Sequence, residues 1–244
     1  GDIMDRLQKV IANYGYCSRR KAEEFILNGK VKVNGEIIRT LGTKVGSKDI
    51  IEVEGNILEK DEKIYILLNK PRGVVTTTSD DKKRKTVIDI VNVDKRIYPV
   101  GRLDYDTTGL LILTNDGELT NLLLHPKNKV EKLYVAKIEG IIKPENIMKL
   151  KKGILLDGLK TSPAKVKLKK IDKKNKTSII ELVIHEGKNH QVKRMFEAVG
   201  HKVLKLKRER IAFLDLKGLN SGEYRYLSPK EVKTIYSEFS KEDR

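Results

Sequence analysis

The chain has one cysteine in 244 residues, Cys17, so no internal disulfide can form. Neither Cys17 nor the four histidines fall at metal-ligand spacing, and no metal is expected. Long hydrophobic runs are missing too. The longest, such as Ile64–Leu68, are a handful of residues, far short of the ~20 that a membrane-spanning helix needs. No signal peptide is visible, so the chain reads as cytoplasmic with no membrane partner. Gly1-Asp2-Ile3 ahead of Met4 reads as an expression remnant and is left out of the fold. There is no Gly-rich phosphate loop, nucleophile elbow or dinucleotide fingerprint. No solenoid period is evident.

What is abundant is positive charge. Lys and Arg total 51 against 34 Asp and Glu, a net charge of +17. Such an excess costs self-repulsion and points to a polyphosphate partner, because each neutralised phosphate releases a counterion. Hydrophobic residues make up 39% and charged residues 35%, enough apolar material for a real core under a wet surface. Length and pattern divide the chain into a small domain, residues 4–55, a polar linker, 56–63, and a larger domain, 64–244.

In the small domain Leu7, Val10, Ile11 and Tyr14 recur at helical spacing, and Gly15 ends that helix. Ser18 caps a second helix over Arg19–Leu27. Short strands follow, with Asn34-Gly35 as a hairpin turn. Arg19, Arg20 and Lys21 open the second helix, where its dipole disfavours cations, and an anionic partner would offset them. In the larger domain "IYILLNK" reads as a buried strand and "VVTTT" as a second β stretch. Asp80–Lys85 is a charged loop. "PAKVKLKKID" and "TSIIELVIHEG" alternate and form a hairpin with one wet face. "HKVLKLKRERIAF" alternates as well, and a closing helix starts at Pro229. Hairpins rather than regular βαβ units predict an α+β fold with a largely antiparallel, mixed sheet.

The chemistry concentrates in two stretches. In "GRLDYDTTGLLILTNDG", residues 101–117, Asp104 is a carboxylate between Leu103 and Tyr105 in a very basic chain. In "EGKNHQVKRMFEAVGH", residues 186–201, Val192, Met195, Phe196 and Val199 mark the buried face of a helix. His190 and Arg194 fall one turn apart on another face, and Lys193 flanks the apolar stripe. A cation at the edge of a core calls for a carboxylate partner, and Asp104 is the natural one for Lys193. So paired, it would stay ionised and could serve as nucleophile or base. Asp106, two residues on, would allow a two-carboxylate glycosidase, but "DYDTTG" reads better as a turn in which Asp106 bonds nearby backbone. Tyr134 reads as a strand aromatic that could also stack on an unpaired base. His125 before Pro126 reads as a cap.

These same stretches carry a resemblance. "YPVGRLDYDTTGLLILTNDGELTNLLLHP" resembles, nearly letter for letter, the central motif of the RsuA/RluB-type ribosomal RNA pseudouridine synthases. "NKPRGVVTT", "EKLYVAKI" and "HEGKNHQVKRMFEAVGH" are similar to the family's other motifs, in order. "RLQKVIANYGYCSRRKAEEFILNGKVKVNG" is similar to the alpha-L RNA-binding domain that precedes the catalytic domain. The resemblance implies isomerisation of uridine to pseudouridine without cofactor or metal, on ribosomal RNA or a pre-ribosomal particle; nothing in the sequence suggests an oligomer, so a monomer is expected. It implies Asp104 as the essential aspartate, Tyr134 as the tyrosine packed on the target uracil, and Lys193 as the aspartate's basic partner. Arg102 matches the arginine that fills the gap left by the flipped base. Arg6, Arg19, Arg20, Lys21, Lys30, Lys70, Arg72, Lys188, His190 and Arg194 are the remaining expected RNA contacts. The long C-terminal tail favours a large-subunit target, while "NHQVKRMF" is closer to the small-subunit enzymes. A non-catalytic assembly factor with the same basic surface and a glycosidic hydrolase are the competing classes.

Overall fold

The computed structural model describes residues 3–59, 62–78, 80 and 82–240. Gly1 and Asp2 of the expected remnant, and 60–61 of the expected linker, lie outside them. The chain forms two compact units, 1–63 and 64–244.

The first unit runs β1 (Asp5–Arg6), α1 (Leu7–Asn13), α2 (Arg19–Leu27), β2 (Val31–Val33), β3 (Glu36–Ile37), β4 (Lys44–Val45), β5 (Ile51–Val53) and β6 (Asn56–Ile57). Ser18 caps α2 by accepting from the Lys21 amide at 3.1 Å, and Gly15 follows α1 at φ 85°. Asn34 (φ 52°) and Gly35 (φ 85°) turn β2 into β3, as the Asn-Gly pair predicts. Leu7, Ile11, Ala22 and Ile26 bury one helical face each against Val31, Val45, Ile51 and Val53. The expected linker begins inside this unit. Asn56–Ile57 pair with β5 and Leu58 packs on the core, because Glu54-Gly55, both at positive φ, form a tight turn rather than an exit.

The second unit runs β7 (Tyr65–Lys70), α3 (Val87–Ile90), β8 (Tyr98–Pro99), β9 (Thr108–Thr114), α4 (Gly117–Leu124), β10 (Lys132–Glu139), α5 (Pro144–Lys152), β11 (Leu155–Leu156), β12 (Leu159–Lys160), β13 (Lys165–Asp172), β14 (Thr177–Ile184), α6 (Gln191–Ala198), β15 (Val203–Ile211), β16 (Leu214–Asp215), β17 (Tyr224–Tyr226) and α7 (Pro229–Phe239). Its main sheet has the order β13-β14-β10-β15-β9-β7-β17, with β16 on β15 and β8 on β9. The α+β expectation holds. Among the described residues the strands of this sheet pair antiparallel except at the β9–β15 seam, which is parallel.

The continuous apolar runs of β7 and β9 are explained by burial on both faces. Leu67, Leu110 and Ile112 face a cluster completed by α4 and α7. Ile66, Leu68, Leu111 and Leu113 face the α3 side. Each such fully buried Leu or Ile contributes ~1.5–3 kcal/mol of burial. A third cluster packs Met195 and Phe196 of α6 and Leu150 of α5 against β10, β14 and β15. One expectation fails here. "VVTTT" is not a strand: Val75 makes a single bridge to Thr86, and the neighbouring residues are bends. Val75 exchanges its backbone bonds with Lys85 and Val87, and Thr76 spends its hydroxyl on the loop described next.

Candidate active site

Asp104 sits in the loop that leads into β9, and the "NKPRGVVTT" stretch holds that loop down. Gly73 donates its amide to the Tyr105 carbonyl at 2.9 Å. The Thr76 hydroxyl donates to the Leu103 carbonyl at 2.7 Å and accepts from the Leu103 amide at 3.2 Å. Thr107 closes the turn on the Asp104 carbonyl at 3.0 Å. Lys70, fully buried, lies beneath: its Nζ donates to the Pro71 and Tyr105 carbonyls at 2.9 and 3.4 Å. Burial pushes its ammonium down to about 8, against the pull of Asp106 and Asp104. Asp104 is thus fixed at the backbone level on both sides.

Its side chain meets two basic groups. His190 Nδ1 is 2.9 Å from Asp104 Oδ2. Lys193 Nζ is 3.4 Å from the same oxygen and 2.7 Å from Asp106 Oδ1. The expected pairing of Asp104 with Lys193 is present, yet it is shared, and Asp106 holds the shorter contact. Burial works against the Lys193 ammonium, but hydrogen bonding and charge from Asp106 and Asp104 outweigh it and raise its pKa. Lys193 in turn holds the Asp106 carboxyl below its usual value. Asp106 is therefore ionised at neutral pH and has no proton to donate, contrary to what a two-carboxylate hydrolase requires. His190 is not on the helix face expected for it. It precedes α6 as the residue before the first turn, in the left-handed region at φ 53°, and that conformation turns its ring toward Asp104.

The acid opens on a cavity of about 770 Å³, lined among others by Arg102, Asp104, Lys132, Tyr134, Lys188, His190, Lys193 and Arg208. The cavity lies beside the β9–β15 seam, with Thr107 just ahead of β9 and Leu206, Arg208 and Ile211 of β15 in its lining. There Gly109, at φ 114°, lets the strands approach: a Cβ on it would lie 2.1 Å from the Arg208 carbonyl.

Residues 64–198 match the RNA pseudouridylate synthase family model, and residues 5–51 match the S4 domain model. The chain is 59% identical to ribosomal large subunit pseudouridine synthase B of Bacillus subtilis (strain 168) over 95% of its own length and 96% of that relative's. It is 38% identical to the dual-specificity RNA pseudouridine synthase RluF of Escherichia coli (strain K12), over 96% of this chain and 79% of RluF. A crystal structure of a pseudouridylate synthase superposes with a TM-score of 0.66 at 35% identity, over 94% of this chain and 99% of the other. The chain belongs to the RNA pseudouridine synthase family.

Within that family frame the other expected site residues separate into groups. Tyr134 on β10 lines the cavity and packs against the α6 cluster. Arg102 is exposed at the cavity, and Lys188 is half-buried there. Arg72 is exposed nearby in charge terms, since it acts on Asp106. Arg194 points elsewhere, to Asp157 at 2.9 Å. Lys70 cannot contact RNA as expected. It is fully buried, and its ammonium serves the loop from within. In the S4 unit Arg6 and Arg19 line one surface pocket with Lys9 and Lys44. Arg20 and Lys30 are exposed, and Lys21 is partly occupied by Glu24 at 3.1 Å and the Phe25 ring. His125 caps the turn after α4, accepting from the Lys127 amide at 3.2 Å. Several cavity residues were not anticipated, Lys132 and Arg208 among them. A usable signal existed for the first: Lys132 is two residues from Tyr134 and so shares its face of β10.

Proposed function

We propose that this protein isomerises a specific uridine of large-subunit ribosomal RNA to pseudouridine in the cytoplasm, as a monomer, with Asp104 as the catalytic carboxylate. The observation that carries the reading is the position of Asp104: an acid held by His190 and Lys193, at a cavity large enough for a nucleotide. The 59% identity to the Bacillus large-subunit enzyme over nearly the full length of both chains supports the choice of RNA.

The reaction divides as follows. The uridine leaves its stack and enters the cavity, at a cost of a few kcal/mol. Arg102 fills the gap it leaves, and Tyr134 packs on the base. The N1–C1′ bond breaks and its electron pair leaves with the uracil. Asp104 either adds to C1′ or takes a proton from C2′. The base turns and C5 bonds to C1′ as the Asp104–C1′ ester breaks, or as Asp104 returns its proton to C2′; the C5 proton is then lost and N1 takes up a proton. No electrons are gained or lost overall. The basic surface, including Arg6, Arg19, Arg20 and Lys30 of the S4 unit, grips phosphates and RNA shape and offsets the flipping cost.

Carbodiimide mapping of rRNA incubated with the protein tests both activity and target. One new pseudouridine in large-subunit rRNA is expected, with none after Asp104→Asn although the variant still binds RNA. A modified small-subunit position would move the target. Unchanged rRNA would point to an assembly factor, and free uracil to a hydrolase.

A further inference from the structure

Three cations that line the cavity are neither expected RNA contacts nor part of the reaction as described; Arg84 is engaged by Asp80, which leaves Arg208 and Lys132. Arg208 on β15 is 5% exposed. It stands directly across from Tyr134 in the β10–β15 register. Its Nε donates to the Leu110 carbonyl at 2.9 Å, which fixes the guanidinium plane, and one terminal nitrogen reaches the Tyr134 hydroxyl at 3.5 Å. The other terminal nitrogen is buried with no hydrogen-bond partner among the described residues. Lys132, on the Tyr134 face of β10, has one weak contact, the His185 carbonyl at 3.5 Å. Burial, then the charge of Arg208, push its ammonium down to about 8. Neither cation has a carboxylate partner among the described residues, whereas Lys193 has two.

A buried guanidinium with an unmet donor is costly unless a ligand supplies the acceptor. Two such groups, lining one cavity with the acid and flanking the aromatic that packs on the base, require an electron-rich acceptor at the position of the base. The phosphates of a flipped nucleotide stay with the backbone, outside the cavity that receives the base. The base is the part that enters. Its carbonyl oxygens are neutral in the substrate. When the N1–C1′ bond breaks, the electron pair moves to N1 and is shared with those oxygens, so negative charge appears there only along the reaction.

We propose that Arg208, assisted by Lys132, holds the carbonyl oxygens of the departing uracil and stabilises it as an anion between C–N cleavage and C–C bond formation. This assignment rests on the synthase reading. It divides the work across the cavity: Asp104 answers the positive charge developing on the sugar, and Arg208 with Lys132 answers the negative charge developing on the base. Fixed donors aimed at developing charge are worth about 100- to 1000-fold in rate. Holding the anion also keeps the free base in place while it turns. Gly109 is part of the same device, since its missing Cβ allows the close approach that seats Arg208 on Leu110.

The test uses full-length protein and an rRNA fragment carrying either uridine or 5-fluorouridine at the mapped target. Single-turnover loss of the starting nucleoside is followed in digested RNA, beside the RNA dissociation constant. Arg208→Met is expected to slow uridine conversion at least 100-fold and to move the dissociation constant less than threefold. Because fluorouracil is the better leaving anion, the defect with the fluorinated target is expected to be at least tenfold smaller. An equal defect with both bases, a rate within threefold of wild type, or a loss confined to RNA affinity would each overturn the assignment, the last pointing to a phosphate contact. If Arg208→Met does not unfold cooperatively on heating, Arg208→Lys and Lys132→Met carry the same comparison. Wild-type protein that converts neither RNA would instead sink the parent reading.

Discussion

Lys193→Met is the sharpest perturbation of the acid. One ammonium serves two carboxylates here, 3.4 Å from Asp104 and 2.7 Å from Asp106. At 3.4 Å the gross attraction to Asp104 is about 1 kcal/mol at the dielectric constant of water and about 5 kcal/mol at the effective value of 20 used near protein surfaces. The two side chains are 22% and 29% exposed, so screening leaves a value between these bounds. That attraction stabilises the carboxylate of the resting enzyme. Whether Asp104 adds to C1′ or removes a proton, its negative charge is spent in the transition state, so the Coulomb term alone opposes reaction. If it dominated, Lys193→Met would be faster than wild type. Orientation works in the other direction. Without the ammonium, Asp104 is left with His190 at 2.9 Å and faces an unneutralised Asp106, and a displacement of about 1 Å can cost 100-fold. We expect orientation to win: single-turnover tritium release from C5-labelled rRNA falls 10- to 100-fold, about 1.4–2.7 kcal/mol. RNA affinity should change less than threefold, and Lys193→Arg should retain most of the rate. A Lys193→Met enzyme as fast as wild type, or faster, would refute the view that this lysine acts by holding the acid in place.

Asp106→Asn should leave the rate within threefold, since it removes a competitor for Lys193 and no proton donor; a 100-fold loss in the same assay would give Asp106 a part in the chemistry. Lys70 carries a pH signature. Its folded-state pKa of about 8 lies below the ordinary 10.5, so the unfolded chain binds more protons between those values and stability rises with pH across that window. Chemical denaturation at several pH values should show wild type gaining, relative to Lys70→Met, at most about 3 kcal/mol from pH 8 to 10.5, and a flat difference would mean the ammonium is not buried as described. Arg19→Ala with Arg20→Ala should weaken RNA binding and lower the slope of log affinity against log salt by about 1–2, as loss of phosphate contacts requires. An unchanged slope would remove α2 from the RNA interface. Gly109→Ala should abolish cooperative thermal unfolding, because its Cβ would overlap the Arg208 carbonyl, and a melting temperature near wild type would mean the β9–β15 seam can open without loss.

Much of the fold was legible because local chemistry and tertiary structure agree. Ser18, Asn34-Gly35, Gly15 and Pro229 each impose one local geometry, and each does so where the sequence places it. The stripe of Val192, Met195 and Phe196 is buried as its spacing requires. Legibility fails where two distant segments exchange hydrogen bonds. "VVTT" has strand composition, yet Gly73, Thr76 and Lys70 give their polar groups to the Asp104 loop. No pairing rule in the sequence announces that the partner is a loop about 30 residues away. Lys70 was misplaced for the same reason: a lysine beside Pro71 looks like surface until the carbonyls of Pro71 and Tyr105 are seen to receive it.

Arg208 shows what kind of information the sequence lacks at the site itself. In "HKVLKLKRERIAF" strict alternation puts Lys205, Lys207 and Glu209 on one face and Leu206, Arg208 and Arg210 on the other. An arginine sharing a face with a buried leucine could have been flagged. Its partner could not, because the β10–β15 register shifts between Leu133 and Tyr134, and that irregularity decides which β10 residue lies across from Arg208. A one-residue change in that shift would carry the guanidinium away from Tyr134, and with it the cationic wall of the cavity. The acid side of the site is encoded locally, in a turn that fixes one carboxylate. The cationic side depends on the register of two strands and on a glycine that lets a third approach. Substitutions that alter the strand register should therefore impair chemistry on the base while leaving Asp104, His190 and Lys193 in contact.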